Sequence, residues 1–170
     1  MAKLAGWLIA LPRPAAWGLC LGWYALVGWL SSLPGSVEPS PWWWNVLSNG
    51  AHAPLFGLLA CWIALLAPRE RGWPALRAPV RLGVCAAIAL LGVVDELHQS
   101  TVPGRDLSVL DVLTDVAGAA VSLEIVAFLG RSGSCSQGLW ARLALAAATS
   151  LACGALATWL PLCFPGVGWF

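Results

Sequence analysis

Asp95-Glu96-Leu97-His98-Gln99-Ser100-Thr101-Val102-Pro103-Gly104-Arg105-Asp106-Leu107-Ser108-Val109-Leu110-Asp111-Val112-Leu113-Thr114-Asp115 is the densest polar stretch in a chain that is otherwise mostly hydrocarbon. It holds five of the eight acidic residues, one of the two histidines and an arginine. Apolar runs flank it on both sides. An ionisable group at the bilayer centre costs roughly 2.5–3.5 kcal/mol on insertion scales. Such groups in a membrane chain therefore mark function by default.

Working outward, the composition fixes the class. The 170 residues are 59% hydrophobic and 10% charged, against about 25% charge in soluble domains. Mean hydropathy is +0.79. These values predict an all-α, polytopic membrane helical bundle. A net charge of +1, with no basic patch interleaved with aromatics, argues against nucleic acid as a partner; membrane lipid is the expected surrounding. None of the six cysteines forms a Cys-x-x-Cys pair, and most lie in apolar runs. They read as small apolar packing residues, not as a zinc site or disulfide framework. Residues 4 to 12 are too short a run for a cleavable signal, and Arg13-Pro14 interrupts it.

A helix needs about 20 apolar residues to cross the bilayer core. About five segments qualify: Ala15 to Ser31, Ala51 to Ala67, Val80 to Leu97, Leu107 to Leu129 and Leu139 to Leu160. Prolines 14, 68, 79 and 161 sit at their edges, where a missing N–H costs least. With five spans, Lys3, Arg13, Arg69, Arg71, Arg77, Arg81, Arg131 and Arg142 share one side, and Arg105 alone takes the other. Positive charge stays cytoplasmic, so the N-terminus is expected inside and the C-terminus outside a bacterial inner membrane. Glu38 and the acids of the polar stretch fall toward the outer side. Trp42-Trp43-Trp44 reads as a membrane-surface anchor in the first outer loop.

Helical spacing then gathers the polar groups. Asn49, His52 and Phe56 share a face of the second span. Asp95, His98 and Gln99 share a face at the end of the third. Ser108, Asp111, Asp115, Gly118 and Ser122 form a stripe on the fourth. Three helix ends meet at one leaflet, and the turn at Val102-Pro103-Gly104-Arg105 can fold Arg105 over them. Asp115 lies roughly 10 Å below Leu107 at about 1.5 Å per residue. It needs a partner there or must keep its proton, and Arg105, His52 and His98 are the available donors. Glu124, near the cytoplasmic end, reads as snorkelling or locally paired.

These residues resemble the VanZ-like family of small bacterial membrane proteins. Three blocks carry the likeness: Ser31-Ser32-Leu33-Pro34; His52 with Phe56; and Asp95-Glu96-Leu97-His98-Gln99 followed by Val102-Pro103-Gly104-Arg105, Ser108, Asp111 and Gly118. The chain departs from the family pattern at Ser48 and Asn49, where an Asp-Lys pair is frequent, at Phe56 in place of Tyr, and at Asp115 in place of Asn. Losing a lysine and gaining an acid makes the site more negative. The resemblance implies a VanZ-like membrane domain over residues 1–130, with residues 131–170 adding a polar linker and a further transmembrane helix. It also implies a cell-envelope role, since the family is linked to teicoplanin resistance.

Two functions follow from these readings. In the first, His52, Asp95, Glu96, His98, Gln99, Arg105, Ser108 and Asp111 bind a lipid-linked or glycopeptide-like ligand at the outer leaflet, with Arg105, His52 and His98 holding an anionic headgroup. In the second, the protein is an intramembrane hydrolase or transferase: His98 acts as base, oriented by Asp95, and Asp111 or Asp115 supplies an acid. Enzyme and binding protein both stay open. The ligand spacing matches no metal signature, so neither metal nor cofactor is expected. Five short helices leave room for a homo-oligomer. A transporter fits less well, for want of inverted repeats.

Overall fold

The computed structural model describes residues 11–35, 40–70, 72–131 and 135–164. Lys3, Glu38 and Arg71, used above for orientation, lie outside the described residues. The chain forms helices α1 (Arg13–Ser31), α2 (Trp42–Gly50), α3 (His52–Ala64), α4 (Ala78–Gln99), α5 (Val109–Leu129) and α6 (Ser136–Cys163). Between α3 and α4, β1 (Arg69–Glu70) and β2 (Trp73–Pro74) pair antiparallel, Arg69 opposite Pro74 and Glu70 opposite Trp73. Gly72 turns that small hairpin at φ 81°, where a residue without Cβ is favoured.

Three helices are long and apolar enough to cross a membrane: Trp42–Ala64, Val109–Leu129 and Ser136–Cys163. The first is α2 and α3 running on through Ala51, whose N–H bonds Leu47 O and Ser48 O. It starts nine residues before the boundary expected from hydropathy. Hydropathy put Trp42-Trp43-Trp44 in a loop and began the span at Ala51, with Asn49 at its mouth. Packing makes residues 42–50 helix, because α2 lies along α6, with Gly154 against the Val46 carbonyl and Gly50. Trp42, Trp43 and Trp44 are therefore the exposed first turn of a span, and Trp42 stacks on Trp159 with centroids 6.2 Å apart.

The core lies among α1, α3, α4 and α5, built on Val27, Phe56, Leu59, Ala60, Val84, Ile88, Ala119 and Leu123. α1 is tied in by indole and phenol donors: Trp23 Nε1 donates to Leu55 O (2.8 Å) and Tyr24 Oη to Leu91 O (3.1 Å). On α6 only Gly154 and Ala157 are buried. Leu82, Leu90, Trp140 and Leu162 are exposed, as side chains facing acyl chains would be. Of the cysteines, Cys20 alone is buried, Cys135 and Cys163 are exposed, and all six are free. Cys135 has a local task, since its Sγ accepts the Gly138 N–H at the start of α6.

Gly118 sets the distance between α3 and α5. A Cβ there would sit 2.1 Å from the Ala53 carbonyl oxygen. Only a bare Cα permits that approach, the small-residue packing typical of membrane helices. His52 and Asp115 lie on either side of this crossing.

Candidate functional site

The C-terminal ends of α1 and α4 and the N-terminal ends of α3 and α5 meet at one end of the bundle. Hydrogen bonds cross-link them. Ser108 is the N-cap of α5, its hydroxyl accepting the Asp111 N–H (3.2 Å); serine suits this position because its short side chain reaches back to the free backbone donors. Its own N–H donates to Glu96 Oε2 (2.7 Å), so the end of α4 and the start of α5 are joined through one residue. Gly104 (φ 74°) turns the connection and lies against Gly35, whose N–H bonds Pro103 O (3.1 Å). Neither contact leaves space for a side chain.

Four carboxylates are buried here: Asp95 (4% exposed), Glu96 (2%), Asp111 (8%) and Asp115 (0%). His52 Nδ1 lies 3.1 Å from Asp115 Oδ1. With Asp115 ionised its carboxylate only accepts, and Nδ1 then carries the hydrogen and donates. The His52 ring also lies parallel to that of Phe56, centroids 6.2 Å apart, which limits its rotation. Gln99 Nε2 donates to Asp95 Oδ2 (2.8 Å) and to Ser31 Oγ (3.4 Å). Arg105 Nη1 donates to Gln99 Oε1 (3.2 Å), which settles the amide's orientation. Glu96 Oε1, Asp111 Oδ1 and Asp115 Oδ2 are buried with no hydrogen-bond partner. Asp115 Oδ2 instead faces Gly92, where an added Cβ would come within 2.5 Å of it.

The residues singled out from the sequence divide into three groups. His52, Asp95, Glu96, Gln99, Asp111 and Asp115 come together, with Ser108 at their edge. Arg105 reaches them only through Gln99: its Nε donates to Leu33 O (3.1 Å) and its Nη2 to Leu30 O (3.4 Å), so it closes the C-terminal end of α1, where a cation meets the negative end of the helix dipole. His98 is exposed and pairs with Ser32 Oγ (2.9 Å). The Ser32 hydroxyl donates to Gly28 O, so His98 Nε2–H is the donor. Gln99, and not His98, holds Asp95. Asn49 turns away to Thr158 on α6 (3.2 Å). The supporting groups that sequence reasoning assigned no role are Ser31, Ser32 and Gly92. Ser31 and Ser32 stand next to each other at the end of an apolar run, which is a legible signal; nothing local marks Gly92.

The other end of the bundle is basic. Arg77 pairs with Glu70 and Arg81 with Glu124, and Trp73 Nε1 donates to Val126 O (2.9 Å). A cavity of about 470 Å³ opens there among Glu70, Trp73, Arg77, Arg81, Gly130 and Arg131.

Fold and site together define a largely helical membrane protein with a buried His–carboxylate cluster at one end. Residues 5–130 match the VanZ/LLP1 family, and the chain belongs to that family. Among curated proteins and solved structures, none matches it.

Proposed function

We propose that this protein acts in the bacterial cell envelope as a multi-pass inner-membrane protein of five spans, and that its acidic end binds a lipid-linked or glycopeptide-like ligand at the outer leaflet. The gathering of basic residues at the opposite end supports a cytoplasmic N-terminus and an outward-facing site. The observation that carries the binding reading is the set of three buried carboxylate oxygens without a hydrogen-bond donor. Buried polar atoms are nearly always partnered, so a site with three such atoms is built to receive donors from outside the chain. The chemistry of recognition differs from the sequence expectation. Arg105 is turned to backbone carbonyls and Gln99, so the cluster faces a ligand with carboxylates and selects amine, amide or hydroxyl donors over a bare anion.

Drug sensitivity and envelope-lipid composition of a deletion strain test this reading, with complementation by Glu96→Gln, Asp111→Asn and Asp115→Asn variants. Each variant is expected to express and insert, yet fail to restore the parental profile. Full rescue by all three would reduce the cluster to scaffolding.

A specific observation also favours catalysis as a second reading. His52 with Asp115 is the oriented imidazole–carboxylate pair that general base chemistry uses, a place the sequence reading had given to His98 and Asp95. In an intramembrane hydrolase or transferase, His52 would be the base and Asp111 would supply the acid. Loss of turnover on an envelope lipid in His52→Gln, with His98→Gln unaffected, would support it over binding alone.

A further inference from the structure

We infer that His52, Asp95 and Glu96 form a binding site for a first-row divalent metal ion. One ligand atom from each residue lies within 4.8 Å of those of the other two, a spacing that a single ion can bridge. The three come from two helices that the Gly118 crossing and the Ser108 link hold in place, so the grouping is set by the backbone and not by flexible side chains.

Each ligand is held by a neighbour at one atom and has another to offer. Asp115 accepts from His52 Nδ1, which places the lone pair of the neutral ring on Nε2. A carboxylate behind the histidine is the usual outer arrangement of metal sites, where it fixes the tautomer and makes the ring more basic. Ser108 N–H occupies Glu96 Oε2, while Glu96 Oε1 is buried and without a partner. Gln99 occupies Asp95 Oδ2 and is itself held by Arg105, leaving Oδ1. Nitrogen and oxygen donors in this mixture suit Zn²⁺ or Mn²⁺. Ca²⁺ takes about 6–8 oxygens and is poorly served by an imidazole. Three protein ligands leave one position for water, as in open zinc sites.

Charge gives an independent reason. Asp95, Glu96, Asp111 and Asp115 stand together, and among the described residues His52 is the only basic side chain in an ion pair with any of them. Buried like charges must be neutralised by protons or by a cation. The three orphan oxygens sit on three different acids around the same histidine, as they would around an ion with a carboxylate-rich second layer. The site stands whether or not an envelope ligand binds, and the test below reads the metal alone.

The experiment uses the full chain purified in detergent, stripped with chelator and dialysed. Metal analysis after equilibration with Mn²⁺ or Zn²⁺ is expected to give one ion per chain, and thermal unfolding to move to higher temperature as metal is added. Cobalt(II) added to the stripped protein is expected to give a visible absorption band of an ordered N/O site. Glu96→Gln and His52→Gln should abolish all three responses. Asp115→Asn keeps all three ligands and should weaken affinity by about 10- to 100-fold. Glu124→Gln, at the other end, should bind as the parent does. A folded parent with no stoichiometric metal and no cobalt band would overturn the site, as would unchanged binding in folded Glu96→Gln. In that case the cluster is neutralised by protons.

Discussion

At the basic end of the bundle each acid faces one arginine: Arg77 with Glu70, side chains 73% and 57% exposed, and Arg81 with Glu124, 29% and 46%. At the acidic end four buried carboxylates surround one histidine, and the His52–Asp115 pair is 12% and 0% exposed. Arg105, the one arginine nearby, is turned to helix carbonyls. Both ends handle charge beside hydrocarbon, but by different means. The first pairs charges where water or headgroups can reach them, which is cheap and contributes little. The second buries them with donors missing, an arrangement that costs stability and is retained where something else completes it. The contrast is why the acidic end is the candidate site and the basic end reads as the anchor.

Perturbing each end in turn tests this contrast. The largest effect is expected from His52→Leu, which removes the one basic side chain paired with a buried acid among the described residues. Breaking a buried pair from one side costs about 3–5 kcal/mol, read as a lower midpoint of thermal or denaturant unfolding in detergent. A loss below about 1 kcal/mol would show that the acids do not depend on the histidine. Gly118→Val comes next. Its Cβ would meet the Ala53 carbonyl at 2.1 Å, so α3 and α5 must move apart, at about 1–3 kcal/mol; cysteines placed at positions 53 and 119 should then crosslink more slowly. Arg105→Ala frees the Leu30 and Leu33 carbonyls. It should cost about 1 kcal/mol and speed amide exchange in the last turn of α1, while leaving His52–Asp115 intact. Arg81→Ala is the smallest: loss of a part-exposed pair should stay within about 1 kcal/mol. A larger loss there than at His52 would reverse the comparison.

Much of this architecture was legible in the residues. Alternation of apolar runs with polar breaks marked where helices α1, α4, α5 and α6 lie to within a few residues. The concentration of acids in residues 95–115 marked the end at which the buried carboxylates gather. The 42–50 segment was misread because tryptophan and asparagine lower hydropathy without lowering helix content when a partner helix packs alongside. The 69–74 hairpin was missed because two residues per strand carry no periodicity. Within the site, spacing rightly placed Asp95 with Gln99 on one face and Asp111 with Asp115. It also placed His98 on the stripe of Asp95 and Gln99 and left Glu96, though named among the binding residues, off it, because 3.6-residue periodicity orders faces but does not say which one turns inward.

The amino-acid sequence by itself determined the helices, their polarity and the end at which ionisable groups collect, since these depend on local hydropathy and on spacing within one helix. Only the tertiary structure decided that His52 meets Asp115, 63 residues away, that Arg105 hydrogen-bonds the end of α1 and Gln99 instead of an acid, and that His98 stands outside the cluster. Those pairings depend on how far each helix is rotated about its own axis. That rotation is set by close backbone contacts such as Gly118 on Ala53 and by hydrogen bonds between helices, neither of which leaves a periodic trace along the chain.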